Sequence, residues 1–270
     1  MFVPTTYLFV PGDRPDRFEK ALTSGADRVI LDLEDAVRPE AKATARDSIL
    51  GAKLDWARVV VRINDATSPF FAEDLRFVAD LKASAVMVPK TETPDALTRV
   101  STAAGREMEL LPQIETVLGL ETVPALLNHP NARRAVFGHL DFALDLGAAP
   151  DWEALLYARS RLVALSRLAD ALPPIESVTV DVKDMANLKS ETAAAQRLGF
   201  GGKLLIHPAQ VAPVTEVFRP SGTEIAWARR VMSAVSTASE GAVAVDGKMI
   251  DKPVEEAARR ILARAGEPHA

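Results

Sequence analysis

Three carboxylates lie within four residues of the chain, at the point where an apolar segment ends. The segment Arg28–Leu33 is rich in aliphatic and β-branched side chains, which is typical of a strand buried on both faces. Asp32, Glu34 and Asp35 fall at its carboxyl end. Close packing gains nothing from three like charges, whereas a divalent cation or a cationic substrate would be held by them. The sequence therefore predicts a charged binding site here.

Further polar residues follow the other apolar segments of the chain. Oxygen ligands select a hard ion, Mg²⁺ or Mn²⁺. Glu115 and Asp141 suit direct ligation, and Arg62 could hold a carboxylate or a developing enolate oxygen. Any one such residue is more often a cap or a salt-bridge partner, and only their convergence favours a site. The full set is Asp13 and Arg14, Arg62 and Asn64, Lys90, Gln113 and Glu115, His139 and Asp141, Asp181 and Asp184, and His207 and Gln210.

Eight short apolar segments recur along the chain and predict eight strands. Segments with helical spacing lie between many of them, for example Ser68–Lys82, Thr93–Ala104 and Glu153–Ala171. Alternating strands and helices predict parallel βα units, and eight units predict a closed (β/α)₈ TIM barrel, whose active site lies at the carboxyl ends of the strands. The predicted strands are Tyr7–Val10, Arg28–Leu33, Val59–Ile63, Ala85–Pro89, Met108–Ile114, Ala135–Gly138, Val178–Val182 and Lys203–Ile206.

The chain continues beyond the eighth predicted strand. Thr223–Ser236 predicts a helix, Gly241–Lys248 a hairpin that turns at Asp246–Gly247, and Pro253–Ala265 a final helix. We therefore divide the chain into a barrel, residues 1–215, and a C-terminal extension, residues 216–270. Because a barrel closes without such an extension, we expect it to cover one end of the barrel or to pack on a neighbouring subunit.

The composition limits the classes of function. A net charge of -5 and a pI near 5.5 argue against a nucleic-acid partner, which favours a basic surface. No segment approaches the roughly 18 apolar residues of a membrane-spanning helix, and the N-terminus lacks the basic region of a signal peptide. Because the chain has no cysteine, it has no disulfide, thiolate metal site or cysteine nucleophile. We expect a cytoplasmic protein with no membrane partner.

Seven motifs, taken together and in order, resemble those of a known family. The chain is similar to the citrate lyase β-subunit-like proteins of the HpcH/HpaI aldolase superfamily, which includes malyl-CoA and citramalyl-CoA lyases. The resemblance covers almost the whole length and implies a TIM barrel. The motifs are Leu8-Phe-Val-Pro-Gly-Asp-Arg-Pro with Lys20, Leu31-Asp-Leu-Glu-Asp-Ala-Val with Lys42 and Arg46, Val61-Arg-Ile-Asn, Ile114-Glu-Thr, Gly138-His-Leu-Asp, Gly202-Lys-Leu-Leu-Ile-His-Pro-Ala-Gln, and Gly247-Lys-Met-Ile-Asp-Lys-Pro.

The resemblance implies a Mg²⁺ site and a substrate-binding arginine. Glu115 and Asp141 match the family's metal ligands, and Glu34 and Asp35 match carboxylates that reach the metal through water. Arg62 matches an arginine that contacts the substrate. These are the same residues that the strand ends predict independently.

The resemblance also implies a CoA site and an acid from another subunit. Phe9, Arg14 and Lys20 match residues that contact CoA. Asp251 matches a general acid/base that a neighbouring subunit of a trimer delivers, although its position just before Pro253 also suits a helix cap. His139 departs from the family, whose members more often carry an acidic or small residue there.

The expected activity is a Mg²⁺-dependent carbon–carbon lyase. It would cleave a small hydroxyacyl-CoA, such as a malyl-, citramalyl- or citryl-CoA, to a 2-oxo acid and an acyl-CoA. Three alternatives remain open at this point. They are a class II aldolase acting on a free 2-oxo acid, an acyl-CoA thioesterase, and a non-catalytic barrel subunit of a larger complex.

Overall fold

The chain forms two compact units. The computed structural model describes residues 3–237 and 243–267. Contacts between Cα atoms separate Pro4–Thr215 from a C-terminal unit that begins at Glu216. Gly241 and Ala242 of the predicted hairpin lie outside the described residues. The residues predicted from the strand ends belong to the first unit, and Asp251, which only the family resemblance implies, belongs to the second.

Within the described residues, eight parallel strands close into a barrel in the order of the chain. This confirms the predicted (β/α)₈ fold. Each strand pairs with the strands that precede and follow it in the sequence, and β1 pairs with β8 to close the ring. The strands are β1 (Thr6–Pro11), β2 (Arg28–Asp32), β3 (Val59–Arg62), β4 (Ala85–Val88), β5 (Glu109–Ile114), β6 (Val136–Phe137), β7 (Ile175–Glu176) and β8 (Gly202–Leu205).

Side chains along each strand point alternately to the barrel interior and to its outer face. Successive side chains of a strand point to opposite faces. The interior is filled by one buried apolar cluster that takes residues from all eight strands: Tyr7, Ile30, Val60, Ala85, Met87, Leu111, Val136, Ile175 and Leu204. The intervening residues pack outward under the helices, or carry polar groups at the carboxyl ends.

Helices follow the strands, and those of the first unit cover the barrel. Left-handed glycines at Gly105, Gly147 and Gly199 end three of them, since glycine adopts a positive φ without steric cost. The helices are α1 (Phe18–Leu22), α2 (Lys42–Gly51), α3 (Phe71–Asp80), α4 (Pro94–Ala104), α5 (Val117–Leu127), α6 (His139–Leu146), α7 (Leu156–Leu168), α8 (Met185–Leu198), α9 (Val211–Phe218), α10 (Gly222–Thr237) and α11 (Lys252–Arg264).

The predicted seventh strand is wrong. The β-branched segment Val178–Val182 is a loop, and β7 is the two-residue segment Ile175–Glu176 directly after Pro173 and Pro174. A parallel strand this short gives no periodic signal, whereas alternating valines give a strong one. Consequently the strand-end residue here is Glu176.

The two acidic residues predicted at the end of strand 7 lie elsewhere. Asp181 is exposed in the loop, and Asp184 caps α8 by accepting a hydrogen bond from the Asn187 amide at 2.8 Å. Both residues therefore serve local structure. Neither belongs to the strand-end cluster.

The C-terminal unit is built from two helices and a hairpin. Small and aliphatic side chains of α10 and α11 pack together around Ala228, Val231 and Ala258. Strands β9 (Val243–Val245) and β10 (Lys248–Ile250) pair antiparallel, with Asp246 and Gly247 at positive φ in the turn, as predicted. Among the described residues, none of the helices combines the length and the apolar character that a membrane crossing needs.

Candidate active site

The ends of β2 and β3 are joined by a buried ion pair. Asp32 and Arg62 are partners in the strand register, and Arg62 Nε and Nη2 donate to the two oxygens of Asp32 at 2.7 Å each. Asp32 also accepts the amides of Glu34 and Ala36. Burial alone would raise the pKa of Asp32, but Arg62 outweighs burial and lowers it. Asp32 is therefore held as an anion by Arg62, and it is not free for a metal as the sequence suggested.

Glu34 is buried beside two cations yet keeps one oxygen without a hydrogen bond. Lys90 Nζ donates to Glu34 Oε1 at 2.7 Å. Arg62 Nη1 forms an ion pair with Glu34 Oε2 at 2.9 Å, but its direction is unsuitable for a hydrogen bond, so this buried oxygen accepts none. An unsatisfied buried carboxylate oxygen is costly. Water or a cation would satisfy it.

Glu115 is fixed from both sides in a narrow space. The backbone amide of Lys90 donates to Glu115 Oε2 at 2.9 Å, and Gln113 Nε2 donates to Oε1 at 2.8 Å. A Cβ at Gly138 would overlap the Glu115 carboxyl, so glycine is required where β6 ends. Lys90 itself has a φ of 45°, which is strained for a side-chain-bearing residue.

The two buried glutamates cannot both ionise easily. Burial, and then the neighbouring Glu34, raise the pKa of Glu115 to about 8. Burial also raises the pKa of Glu34 to about 7, with Asp35 adding to the rise and Arg62 opposing it. The surroundings of both carboxyls disfavour their charged forms at neutral pH. A divalent cation bound beside them would stabilise both as anions.

Asp141 and Asp35 complete the acidic set at the mouth. Asp141 lies in the first turn of α6, directly after β6, and it is half-buried. Its charge contributes to the raised pKa of both Glu115 and Lys90. Asp35 is exposed, 4.0 Å from Arg62 Nη1. The structure thus places Glu34, Asp35, Glu115 and Asp141 around Arg62 and Lys90 at one end of the barrel.

These residues fit a Mg²⁺ ion that keeps part of its water. Among residues 3–237 and 243–267, no three Asp, Glu or His side chains are arranged to enclose a metal ion by themselves. Mg²⁺ does not need such a cage, because it commonly takes one or two carboxylates and fills its remaining positions with water and substrate oxygens. The Glu34 Oε2 atom without a hydrogen bond and the raised pKa of Glu115 fit a divalent cation bound beside them.

A second layer holds the loop that carries Glu34. Lys42 Nζ donates to the carbonyls of Leu33 and Glu34 at 2.7 and 3.0 Å and to Asn64 Oδ1 at 2.6 Å. Asn64 in turn donates to Asp74. Lys42 belongs to the same sequence motif as Glu34. Its three hydrogen-bond acceptors belong to Leu33, Glu34 and Asn64, and only the fold brings Asn64 close to the other two.

The residues predicted to contact CoA are placed in different surroundings. Arg14 is half-exposed and pairs with Asp16 at 2.7 Å, and Lys20 is exposed on α1. Phe9 is half-buried on β1, with the Arg62 guanidinium 4.8 Å above its ring. Phe9 therefore lies beside the acidic mouth and supports Arg62.

Asp251 and His139 have structural partners of their own. Asp251 is the exposed N-cap of α11 and accepts from the Val254 amide at 3.2 Å. His139 Nδ1 lies 2.6 Å from Ser177 Oγ, and burial lowers its pKa to about 4. His139 is therefore neutral at pH 7.

The chain is thus a TIM barrel with a charged mouth that fits a divalent metal ion. The model of the HpcH/HpaI aldolase/citrate lyase family matches residues 5–208, and the chain belongs to that family. The resemblance seen in the sequence motifs is confirmed.

Three relatives give the context for function. A citrate lyase subunit beta-like protein of Mycobacterium tuberculosis H37Rv is 37% identical over 97% of this chain and 95% of its own length. A (3S)-malyl-CoA thioesterase of Cereibacter sphaeroides ATCC 17023 is 34% identical over 96% and 93%. The crystal structure of protein CitE from M. tuberculosis, in complex with magnesium, acetoacetate and coenzyme A, superposes with a TM-score of 0.87 at 32% identity, covering 98% of both chains.

Proposed function

We propose that this protein is a Mg²⁺-dependent lyase that cleaves a small hydroxyacyl-CoA to a 2-oxo acid and an acyl-CoA. The observation that carries the proposal is the pair of buried glutamates, Glu34 and Glu115, whose pKa values are raised beside the buried cation Arg62. Related proteins with magnesium, coenzyme A, acetoacetate or oxaloacetate bound support the same ligands for this chain.

Glu115 and Asp141 are the proposed direct ligands, and Glu34 and Asp35 act through water. Glu115 has a lone pair left on each oxygen after its bonds to Lys90 and Gln113, so ligation need not break either bond. Mn²⁺ could replace Mg²⁺, because both prefer oxygen. The bound ion would stabilise negative charge on the 2-oxo acid's oxygens during cleavage.

Arg62 is proposed to stabilise the other half of the reaction. When the bond between the two carbons breaks, the thioester half carries the electron pair as an enolate. Arg62 is held rigidly by Asp32 and Phe9, and its Nη1, which lies 2.9 Å from Glu34 Oε2 without a hydrogen bond to it, is the nitrogen proposed to meet the enolate oxygen. Charge on the enolate oxygen would then be matched by a fixed cation.

Proton transfer and CoA binding complete the proposal. Asp251 is the proposed general acid/base, delivered from a neighbouring subunit of a homotrimer: its carboxylate takes the proton of the substrate hydroxyl as the carbon–carbon bond breaks, and the acid so formed protonates the enolate carbon. Arg14 and Lys20 are proposed to bind CoA phosphates, and Phe9 contacts the thioester end. Three of these side chains are accessible at the surface, where CoA or a neighbouring subunit can reach them: Arg14, Lys20 and Asp251.

A thioesterase is the second candidate, because (3S)-malyl-CoA thioesterases are among the relatives. In that reaction water attacks the thioester carbonyl, and no 2-oxo acid forms. The same metal and Arg62 would stabilise the tetrahedral oxyanion. The two reactions would therefore use the same residues but give different products.

A product assay separates these reactions. The chain is incubated with Mg²⁺ and citryl-, malyl- or citramalyl-CoA, and the 2-oxo acid and free thiol are measured separately. Because the chain has no cysteine, every thiol detected comes from CoA. We expect 2-oxo acid without thiol from one of these substrates. Thiol without 2-oxo acid would show a thioesterase, and neither product from any substrate would refute the proposal.

A further inference from the structure

The two buried glutamates of the mouth are held by partners of different charge. Lys90 Nζ donates to Glu34 Oε1 at 2.7 Å, and the Arg62 guanidinium forms an ion pair with Glu34 Oε2 at 2.9 Å. Glu115, by contrast, accepts from two neutral groups, the Lys90 amide at 2.9 Å and the Gln113 side-chain amide at 2.8 Å. A metal ion would therefore meet a like charge at each oxygen of Glu34 and a neutral N–H at each oxygen of Glu115.

One residue, Lys90, contacts both carboxylates. Its backbone amide binds Glu115 and its ammonium group binds Glu34, so a single backbone position sets the two side chains relative to one another. Lys90 has a φ of 45°, in the left-handed region that a residue with a side chain rarely adopts. Such a conformation persists only where the surrounding structure fixes it.

Thr91 fixes this strained turn. It is buried, its amide donates to the Gln113 carbonyl at 3.1 Å, and its hydroxyl donates to the Val88 carbonyl at 2.5 Å. A Cβ at Gly119 would lie 2.8 Å from the Thr91 carbonyl oxygen, so α5 packs closely against the other side of the turn. The position of Lys90 is therefore set by β4, β5 and α5.

Of the two cations beside Glu34, Lys90 is the one that donates a hydrogen bond to it. Arg62 gives two of its donors to Asp32 instead. The Lys90 side chain is 33% exposed, whereas that of Glu34 is 6% exposed. The ammonium group can therefore be removed without leaving a cavity in the core, and its removal frees one oxygen of Glu34.

We propose that Lys90 is a positioning residue that keeps Glu34 from binding the metal ion directly, so that coordination positions beside Glu115 and Asp141 stay open for water and substrate. This inference rests on the proposed function, because it concerns the same metal site. Mg²⁺ commonly keeps several waters and takes substrate oxygens in their place. A third direct carboxylate would occupy one of those positions. Lys90 therefore lowers the affinity for the metal ion and keeps room for the substrate.

Calorimetry of Mg²⁺ with the full chain tests this role, because the expected change is opposite to that of general damage. Lys90→Met frees Glu34, so Mg²⁺ should bind about tenfold more tightly than to wild type. In a Glu34→Gln background the same substitution should change the affinity by less than about threefold, because the carboxylate that it frees is gone. Lys82→Met is the matched control. It removes an exposed lysine that precedes the opposite end of β4, and it should bind Mg²⁺ like wild type.

Water-proton relaxation with Mn²⁺ gives a second readout, which reports the waters on the bound ion. Direct coordination by Glu34 would displace one water, so Lys90→Met should show a lower relaxivity than wild type. The double variant Lys90→Met, Glu34→Gln should return to the wild-type value. If Lys90→Met does not fold, Lys90→Gly takes its place, since glycine adopts the positive φ without steric cost.

The outcomes separate this role from the metal site itself. Mg²⁺ affinity equal to or weaker than that of wild type in the Lys90 variant, equal tightening in the Glu34→Gln background, or unchanged relaxivity would overturn the role of Lys90 alone. Mg²⁺ affinity unchanged in Glu115→Ala would instead refute the proposed metal site, and this role with it.

Discussion

Raising the pH should destabilise the metal-free protein, and Mg²⁺ should cancel the effect. Glu115 and Glu34 have ordinary pKa values near 4.5 in the unfolded chain and about 8 and about 7 in the folded one. The folded state therefore binds more protons between these limits. Its added stability is complete below pH 4.5 and is lost as the pH rises through 7 and 8.

The size of the loss follows from the same values. Between its two pKa values, one such carboxyl costs about 1.4 kcal/mol per pH unit. From pH 5.5 to 8.5, Glu115 alone therefore removes about 3 kcal/mol. Glu34 adds to this, but the two carboxyls repel one another and their contributions are not additive, so we expect about 3 to 5 kcal/mol in total.

Urea unfolding followed by circular dichroism measures this loss. Wild type is compared at pH 5.5 and 8.5, in EDTA and in MgCl₂, with Glu115→Gln. We expect the variant to lose most of the pH dependence that wild type shows in EDTA, and Mg²⁺ to restore wild-type stability at pH 8.5. Glu121→Gln is the control, because Glu121 is exposed and pairs with Arg161. Equal pH dependence in wild type and Glu115→Gln would refute the reasoning.

Three further predictions concern the proposed roles. Arg62→Lys keeps the charge but loses the bidentate pair with Asp32, so kcat/KM should fall about 100-fold or more while affinity for free CoA is unchanged. Replacing Arg14 and Lys20 with Ala should weaken CoA-thioester binding about tenfold and reduce its salt dependence. Asp251→Asn mixed with Arg62→Ala under subunit exchange should regain part of the activity; no recovery despite proven exchange would exclude an acid supplied in trans.

The sequence predicts the barrel well because strand ends coincide with abrupt changes from apolar to charged residues. Those changes are sharp after Leu33, Val61 and Ile114, and these positions carry the charged mouth. The prediction fails at β7, where two residues suffice for a strand because neighbouring strands supply the pairing. Local propensity cannot detect an element that tertiary contacts create.

The internal arrangement of the site could not be predicted from residue types. The strand register pairs Asp32 with Arg62, which removes Asp32 from the acidic set. The positive φ of Lys90 and the closeness of Gly138 to Glu115 depend on backbone positions fixed by distant segments. Neither leaves a signal in spacing or composition.

Isothermal titration calorimetry of Mg²⁺ tests the central claim most directly. Wild type is compared with Glu115→Ala and Asp141→Ala, and with Asp145→Asn as a control on the same helix as Asp141, where Asp145 accepts the Val117 amide. The proposed site predicts that both Ala variants lose measurable Mg²⁺ binding while keeping their circular dichroism spectra, and that the control binds like wild type. Mg²⁺ affinity unchanged in both Ala variants would contradict the claim that these carboxylates hold the metal.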